Sequence, residues 1–435
     1  MIEILNMGFL IISMIWICSF PLIQSNLKRN FIFNELTSLE KISINLSILL
    51  NILLILSFYK MNLQYIFVTL LILPLINFIP FQKKLRLQNL VILFFFIFIL
   101  SISIGSNLKL EWDGAATWIY KTINFYSGNN FNNLSEIPGV ITYPHLGSYM
   151  WAFFWKNSFI NSEYVGRIFF VFCYCLSILL IVGLPKIKFS NKILLIIGFL
   201  ILTLDYYLFA GYQEYLVFSI LIFIFYFYFK YFVQKQKIFL IPIIFFINAI
   251  IWVKNEASVF VVFFFLFIIF HHLIEKNKIK NEIFILSIFF IFVLFVKYMI
   301  FYNNFNEINT GWTGYQTNSW KDIFQIDYFI ERTSSIIMNI VVALIKCKVY
   351  LMFFLTLLFC LNNKNFKIFL PFIFFLFLNL ILVFLIYFLT NSADWQHYQA
   401  TTVDRLLFQT SGIYLIPIYF ILKKNFIFKK KIIKK

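Results

Sequence analysis

NLVILFFFIFILSISIG (Asn89–Gly105) is followed, after three residues, by KLEWDGAATWIYKTINFYSG (Lys109–Gly128). The first stretch carries no charge and approaches the roughly 20 apolar residues that a helix needs to cross a bilayer core. The second puts Lys109, Glu111, Asp113 and Lys121 within twenty positions, in a chain where only 12% of residues are charged. An apolar rod that ends in a knot of ionisable groups reads as a membrane span opening onto a polar face.

The remainder of the chain repeats the first half of that pattern. Its 435 residues are 62% hydrophobic and 22% aromatic, with 62 phenylalanines and a mean hydropathy of +0.88. Soluble domains are about 45–50% apolar, so lipid must solvate much of this surface. The runs lack the period-two alternation of barrel strands. The expectation is an all-α polytopic membrane protein with about 13 transmembrane helices, at Ile4–Ile23, Ile42–Phe58, Leu63–Phe81, Leu90–Gly105, Tyr164–Leu184, Ile193–Phe209, Glu214–Phe232, Ile238–Val253, Ala257–Ile274, Ile283–Phe301, Val349–Leu361, Phe369–Leu389 and Leu406–Leu422. Met1–Ile23 has no basic leader and no small-residue cleavage site, and reads as a retained first span.

The net charge of +18 sits largely in short gaps between apolar runs, and every second gap is basic. By the positive-inside rule these gaps and the tail KKNFIFKKKIIKK are cytoplasmic. No nucleic-acid motif accompanies the charge. The five cysteines lie in or beside apolar runs without zinc-site spacing, and are expected to be free thiols. Abundant Ile, Phe, Asn and Lys suggest AT-rich coding and a bacterial inner membrane. Four regions follow: N-terminal spans over 1–105, an extracytoplasmic loop with interfacial helices over 106–163, a helical bundle over 164–422 with an outer loop at 302–348, and a basic tail over 423–435.

The gaps between the basic ones are expected on the outer face, and they gather the ionisable residues. In the loop over 106–163, positions Ala115, Trp118, Ile119, Thr122, Ile123 and Tyr126 form one face of a helix lying in the membrane interface, with Lys121 on another face. Asp113 just precedes it, either capping free backbone N–H groups or serving as a general base beside a cavity. Glu111 lies two residues earlier. Further on, ITYPHLGSYMWAFFW contains Tyr143 and His145, with Pro144 entering a second short helix. His145 reads equally as a solvated loop histidine or a site residue, and Trp151 and Trp155 as interfacial anchors.

Three shorter outer segments complete the set. AGYQEYLVFS carries Glu214 at a span start. WVKNEASVF holds Lys254 and Glu256 in a tight hairpin, as a local ion pair or as functional groups. SADWQHYQATTVDRLLFQ carries Asp394, His397, Asp404 and Arg405. Arg405 opens the last span on the outer side, where its counter-ion is either Asp404 or a lipid-linked phosphate gripped in bidentate fashion.

In order and outer-face placement over roughly Leu108–Leu422, the segments WDGAATWIYKTINFYSG, YPHLGSYMW, GYQEYLVF, WVKNEAS and DWQHYQATTVDRLLFQ resemble the GT-C superfamily of membrane glycosyltransferases. The likeness is greatest to the protein O-mannosyltransferase and lipid A aminoarabinose transferase branch. That resemblance implies transfer of a sugar from a polyprenyl-phosphate donor, drawn from membrane lipid, to an extracytoplasmic glycan, lipid or protein. It casts Asp113, with Glu111, as the catalytic carboxylate. Lys254, His397 and Arg405 are the candidates for binding the donor phosphate, and Lys121, Tyr143, His145, Glu214, Glu256, Asp394 and Asp404 are further cavity candidates. A carboxylate pair of this kind could also hold a divalent cation. The rival expectation is a transporter or flippase for lipid-linked sugars, which would place its ionisable residues at mid-membrane.

Overall fold

The computed structural model describes residues 2–19, 36–77, 87–106, 108–137, 143–183, 189–276, 281–305, 316–317, 326–361, 366–391 and 395–422. Within them the regular structure is helical, apart from a two-residue antiparallel ladder that pairs Gln316 with Asn391 and Thr317 with Thr390. The helices are α1 (Ile2–Ser19), α2 (Ser38–Leu56), α3 (Leu63–Asn77), α4 (Leu87–Ser106), α5 (Ile119–Tyr126), α6 (Leu146–Lys156), α7 (Ile168–Val182), α8 (Phe189–Thr203), α9 (Glu214–Gln234), α10 (Leu240–Ile251), α11 (Glu256–Ile274), α12 (Asn281–Phe305), α13 (Ile326–Lys346), α14 (Lys348–Cys360), α15 (Phe366–Leu389) and α16 (Trp395–Ser411).

Among the described residues, nine helices are long and apolar enough to cross a membrane. They are α1, α2, α4, the Glu163–Val182 helix that contains α7, α9, α11, α12, α15, and the Gln399–Leu422 run that continues α16. The chain is thus a multi-pass membrane protein. Three apolar helices, α3, α8 and α10, fall short of that length, and α13 and α14 form one candidate span bent by 82°.

The chain divides into two compact units. The first comprises Met1–Leu184, Asp205–Asn255 and Val293–Asn306. Its centre is α7, in which every residue is buried, against α1, α2, α4 and α9. Around it, α4 exposes Val91, Phe95, Ile99 and Ile102 on one side, the surface expected of a helix whose solvent is hydrocarbon. Polar groups inside this unit are tied across helices. Glu40 closes a capping box with Thr37 at the start of α2, and also accepts bonds from the Tyr226 hydroxyl and Lys230 of α9, each at 2.7 Å. At mid-helix, Asn51 of α2 donates to the Phe245 carbonyl of α10 and accepts from Asn248. Such bonds hold helices together where lipid offers no hydrophobic driving force between them.

The second unit comprises Pro185–Leu204, Glu256–Phe292 and Glu307–Lys435. Here α11 packs on α15, and α13 packs on α15 and α16. Buried Arg332 donates to the Tyr387 carbonyl at 2.8 Å, and Tyr350 to the Leu407 carbonyl at 2.7 Å.

Two sequence expectations change. The outer loop expected at 302–348 contains α13, whose Arg332, Ile336, Ile340 and Ala343 make a buried helical stripe. Glu331, Arg332, Ser334, Ser335 and Asn339 dilute its hydropathy, but an amphipathic helix needs only one apolar face. The last helix begins at Trp395 rather than near Leu406, so Asp404 and Arg405 lie within α16 instead of at its entrance. The remainder of the expected loop, including most of NTGWTGYQTNSW, and the tail over 423–435 lie outside the described residues.

Candidate functional site

The site is built at the end of the first unit from four segments far apart in sequence. Its foundation is Arg167, fully buried at the foot of α7. The guanidinium donates to the carbonyls of Phe209 and Leu108 (3.2 Å for the latter) and to Glu163 Oε1 at 2.9 Å. One rigid fork thereby fastens the start of the WDGA segment beside the turn that precedes α9. Next to it, Glu111 N–H donates to the Ala210 carbonyl at 3.2 Å. Gly114 then approaches the same turn so closely that a Cβ there would lie 2.5 Å from Ala210 O. Gly211 of that turn has a positive φ of 83°, a conformation that glycine adopts without strain.

The YPHLG segment locks onto the other three. Leu146 N–H donates to the Trp252 carbonyl at 2.9 Å, and Ser148 Oγ to the Trp118 carbonyl at 3.2 Å. Gly147 lies directly against the Gln213 amide, since a Cβ at 147 would fall 1.5 Å from Gln213 Oε1. Beside Gln213, Glu214 Oε1 accepts from Lys254 Nζ at 3.0 Å, with both side chains buried.

Several expectations about this region change. Asp113 makes no side-chain capping bond: it has helical backbone angles and leads into a π-helical turn, Gly114–Trp118. The buried positions over 118–125 are Trp118, Lys121, Thr122, Asn124 and Phe125, whereas Ala115 and Ile123 are exposed. His145 is fully buried, inside a ring of Phe58, Phe125, Phe131 and Trp252 with centroids 4.7–5.6 Å away. Trp151 is a core residue donating to the Glu163 carbonyl rather than an interfacial anchor, whereas Trp155 stays near the surface and stacks on Tyr126. Lys254 pairs with Glu214 at the start of α9.

Lys121 Nζ donates to the Tyr143 carbonyl. Lys297, near the end of α12, donates to the Ile251 carbonyl at 2.8 Å and to Asn255 Oδ1 at 3.0 Å. Burial, reinforced by the Lys297 charge, brings the Lys121 ammonium down from 10.5 to about 7. Burial, then Lys121 and Lys297, push the His145 imidazole well below its ordinary value, so it is neutral at pH 7. Its tautomer follows from the network. Ser57 Oγ spends its one proton on the Leu54 carbonyl at 2.6 Å and sits 2.7 Å from His145 Nε2. Nε2 must then carry the proton, which leaves Nδ1 an acceptor.

Because Lys121 is held neutral more readily in the fold than in the unfolded chain, the unfolded state binds the extra proton between pH 7 and 10.5. Stability therefore rises with pH over that window. Thermal unfolding of the detergent-solubilised protein at pH 6, 7.5 and 9 should show wild type gaining more on alkalinisation than Lys121→Met. Parallel pH curves for the two would show that Lys121 is not buried as described.

Glu111 is half-exposed and pairs with Lys109 at 3.3 Å, on the surface. Glu256, Asp404 and Arg405 are in the second unit; Arg405 is buried, and its backbone N–H donates to Asp404 Oδ1 at 2.8 Å. His397 lies on α16, and Asp394 and the His397 side chain lie outside the described residues. Among the described residues no three His, Cys, Asp or Glu side chains group to hold a metal ion. Gln213, Trp118 and Arg167 are structural members of the site that the sequence did not mark as site residues; Lys297, a fourth, stood out in the sequence only as an ionisable residue near the end of an apolar run.

No family model, no curated protein and no solved structure matches this chain.

Proposed function

We propose that this protein is a GT-C-like membrane glycosyltransferase. It moves a sugar from a polyprenyl-phosphate donor to a hydroxyl of an extracytoplasmic glycan, lipid or protein. The observation that supports this reading most is the packing of WDGAATW, YPHLGS, GYQE and WVKN on one another around Gly114, Gly147 and the Glu214–Lys254 pair. A polar assembly of this kind at the end of an apolar bundle carries a cost that function explains better than stability does.

In this reading Asp113 takes the proton of the acceptor hydroxyl. The acceptor oxygen forms a bond to the anomeric carbon while the bond from that carbon to the phosphate oxygen breaks. Polyprenyl phosphate leaves with the electron pair, and the configuration at the anomeric carbon inverts. Lys254 places positive charge where the leaving phosphate develops negative charge, a major term in catalysis. The finer topology belongs to the same proposal: the nine long helices, α3, α8, α10 and the bent α13–α14 pair each cross the bilayer, thirteen in all. The Trp112 face is then extracytoplasmic, in a bacterial inner membrane, and the C-terminal tail cytoplasmic.

The 82° break between α13 and α14 is a feature that a transporter or flippase of lipid-linked sugars would share. Two measurements separate the readings. Membranes containing the protein are given radiolabelled polyprenyl-phosphate sugars, and label should pass to an acceptor; movement of intact donor across vesicles without transfer favours the transporter. Trp112, which is 80% exposed, is replaced by cysteine and treated with an impermeant maleimide on intact cells. Labelling only after lysis would put this face in the cytosol and end the proposal.

A further inference from the structure

The polar atoms around the first turn of α6 are unusually poor in partners. Gln213 is fully buried, and neither its Oε1 nor its Nε2 has a hydrogen-bond partner. The same holds for Nδ1 of His145, fully buried, and for Nε1 of Trp118, which is 2% exposed. Buried polar groups of this kind are rare in native proteins, and each one costs the desolvation of an unmade bond. Here they occur together on segments already shown to be in contact. His145 precedes α6, Gly147 in its first turn lies on the Gln213 amide, and Ser148 in the same turn is bonded to the Trp118 backbone. Asp113 adjoins Gly114, which packs on Ala210 and Gly211, two residues before Gln213.

The chemistry of the set is specific. Trp118 Nε1 can only donate. His145 Nδ1, in the tautomer fixed by Ser57, accepts. The Gln213 amide does both. None carries charge, and aromatic faces of Phe58, Phe131 and Trp252 flank the imidazole. Neutral donors and acceptors beside aromatic rings match vicinal hydroxyls, each of which donates once and accepts. They do not match a phosphate, which needs cations, or a lipid chain, which needs no polar atoms. None of the three offers a counter-ion, and all are buried, so an ammonium among them would be desolvated without a paired charge.

We propose that Gln213, His145 and Trp118 form a hydroxyl-recognition subsite at the first turn of α6 that binds the ring of an uncharged sugar and disfavours a cationic amino sugar. The proposal rests on the glycosyltransferase reading, which it deepens by naming the class of the transferred group. Gln213 supplies specificity, and Gly147 is glycine because the amide occupies the volume of its side chain.

The test uses the full chain in detergent micelles or nanodiscs, with three probes measured by native mass spectrometry. They are undecaprenyl phosphate, its neutral hexose ester and its 4-aminopentose ester. Wild type should bind the hexose ester at least about tenfold tighter than undecaprenyl phosphate, with the aminopentose ester gaining nothing, a difference of about 1.4 kcal/mol. Gln213→Leu and Trp118→Phe should each remove most of the hexose increment while keeping the affinity for undecaprenyl phosphate, which also reports that the variants are folded. If both variants keep the increment, or the aminopentose ester binds best, the subsite is wrong while the transferase reading stands. If none of the three probes binds wild type, both fall together.

Discussion

Asp113→Asn should lower sugar transfer by about 10²–10⁴-fold, the usual contribution of a general base, with little change in the amount of folded protein in the membrane. Asp113 makes no capping bond to the turn it begins, so the amide removes no cap. The side chain is half-exposed, and the backbone around it is fixed independently by the bond from Glu111 N–H to Ala210 O and by the Gly114 contact. The measurement is initial rate with a radiolabelled polyprenyl-phosphate sugar, normalised to membrane-embedded protein. Full activity in the variant would remove Asp113 as the base. Gly114→Ala is the complementary case. Its Cβ would press on a backbone carbonyl rather than a side chain tip, so the segment must shift, at about 1–3 kcal/mol. Activity should then fall with the carboxylate still present.

The second large effect is on stability. Glu214→Gln or Lys254→Met alone should destabilise the first unit by about 3–5 kcal/mol, because each leaves one buried ion without its partner. Both side chains of this pair are at most 5% exposed. The double variant should recover most of the loss, since two neutral side chains carry no desolvation penalty of that size. Unfolding of the solubilised protein by heat or denaturant reads all three variants. The double variant also separates the two roles of Lys254. A protein that is stable yet poor in transfer shows that the ammonium acts on the donor phosphate, whereas recovery of both properties assigns the pair to folding alone. Single variants as stable as wild type would mean that the pair is not buried in the working protein.

The membrane class was legible because it depends on composition along short windows. Runs such as Asn89–Gly105 declare themselves without knowledge of any neighbour. The segments that meet at the site were also legible, since glycine, carboxylate and histidine stand out against a background of Phe and Ile. What each residue does there was not. The apolar stripe drawn from Ala115 did not name the face of α5 that packs, because that face is chosen by the neighbouring helix: α5 lies against α6, and Lys121 is turned into the interior with Thr122 and Phe125. Likewise, nothing local distinguishes His145 from a loop histidine: its four aromatic neighbours and Ser57 come from α2, α5, α10 and the connections between them.

The sequence by itself determined that this chain lives in lipid, that its helices are many and apolar, and that its chemistry gathers in a few polar breaks. These follow from transfer free energies of individual side chains, which add along the chain. Only the tertiary structure decided that Glu214 takes Lys254 as partner, that Arg167 fastens Leu108 beside Phe209, and that Gln213 lies on Gly147. Those pairings depend on distances between residues far apart in the chain, and such distances exist only once the helices have packed.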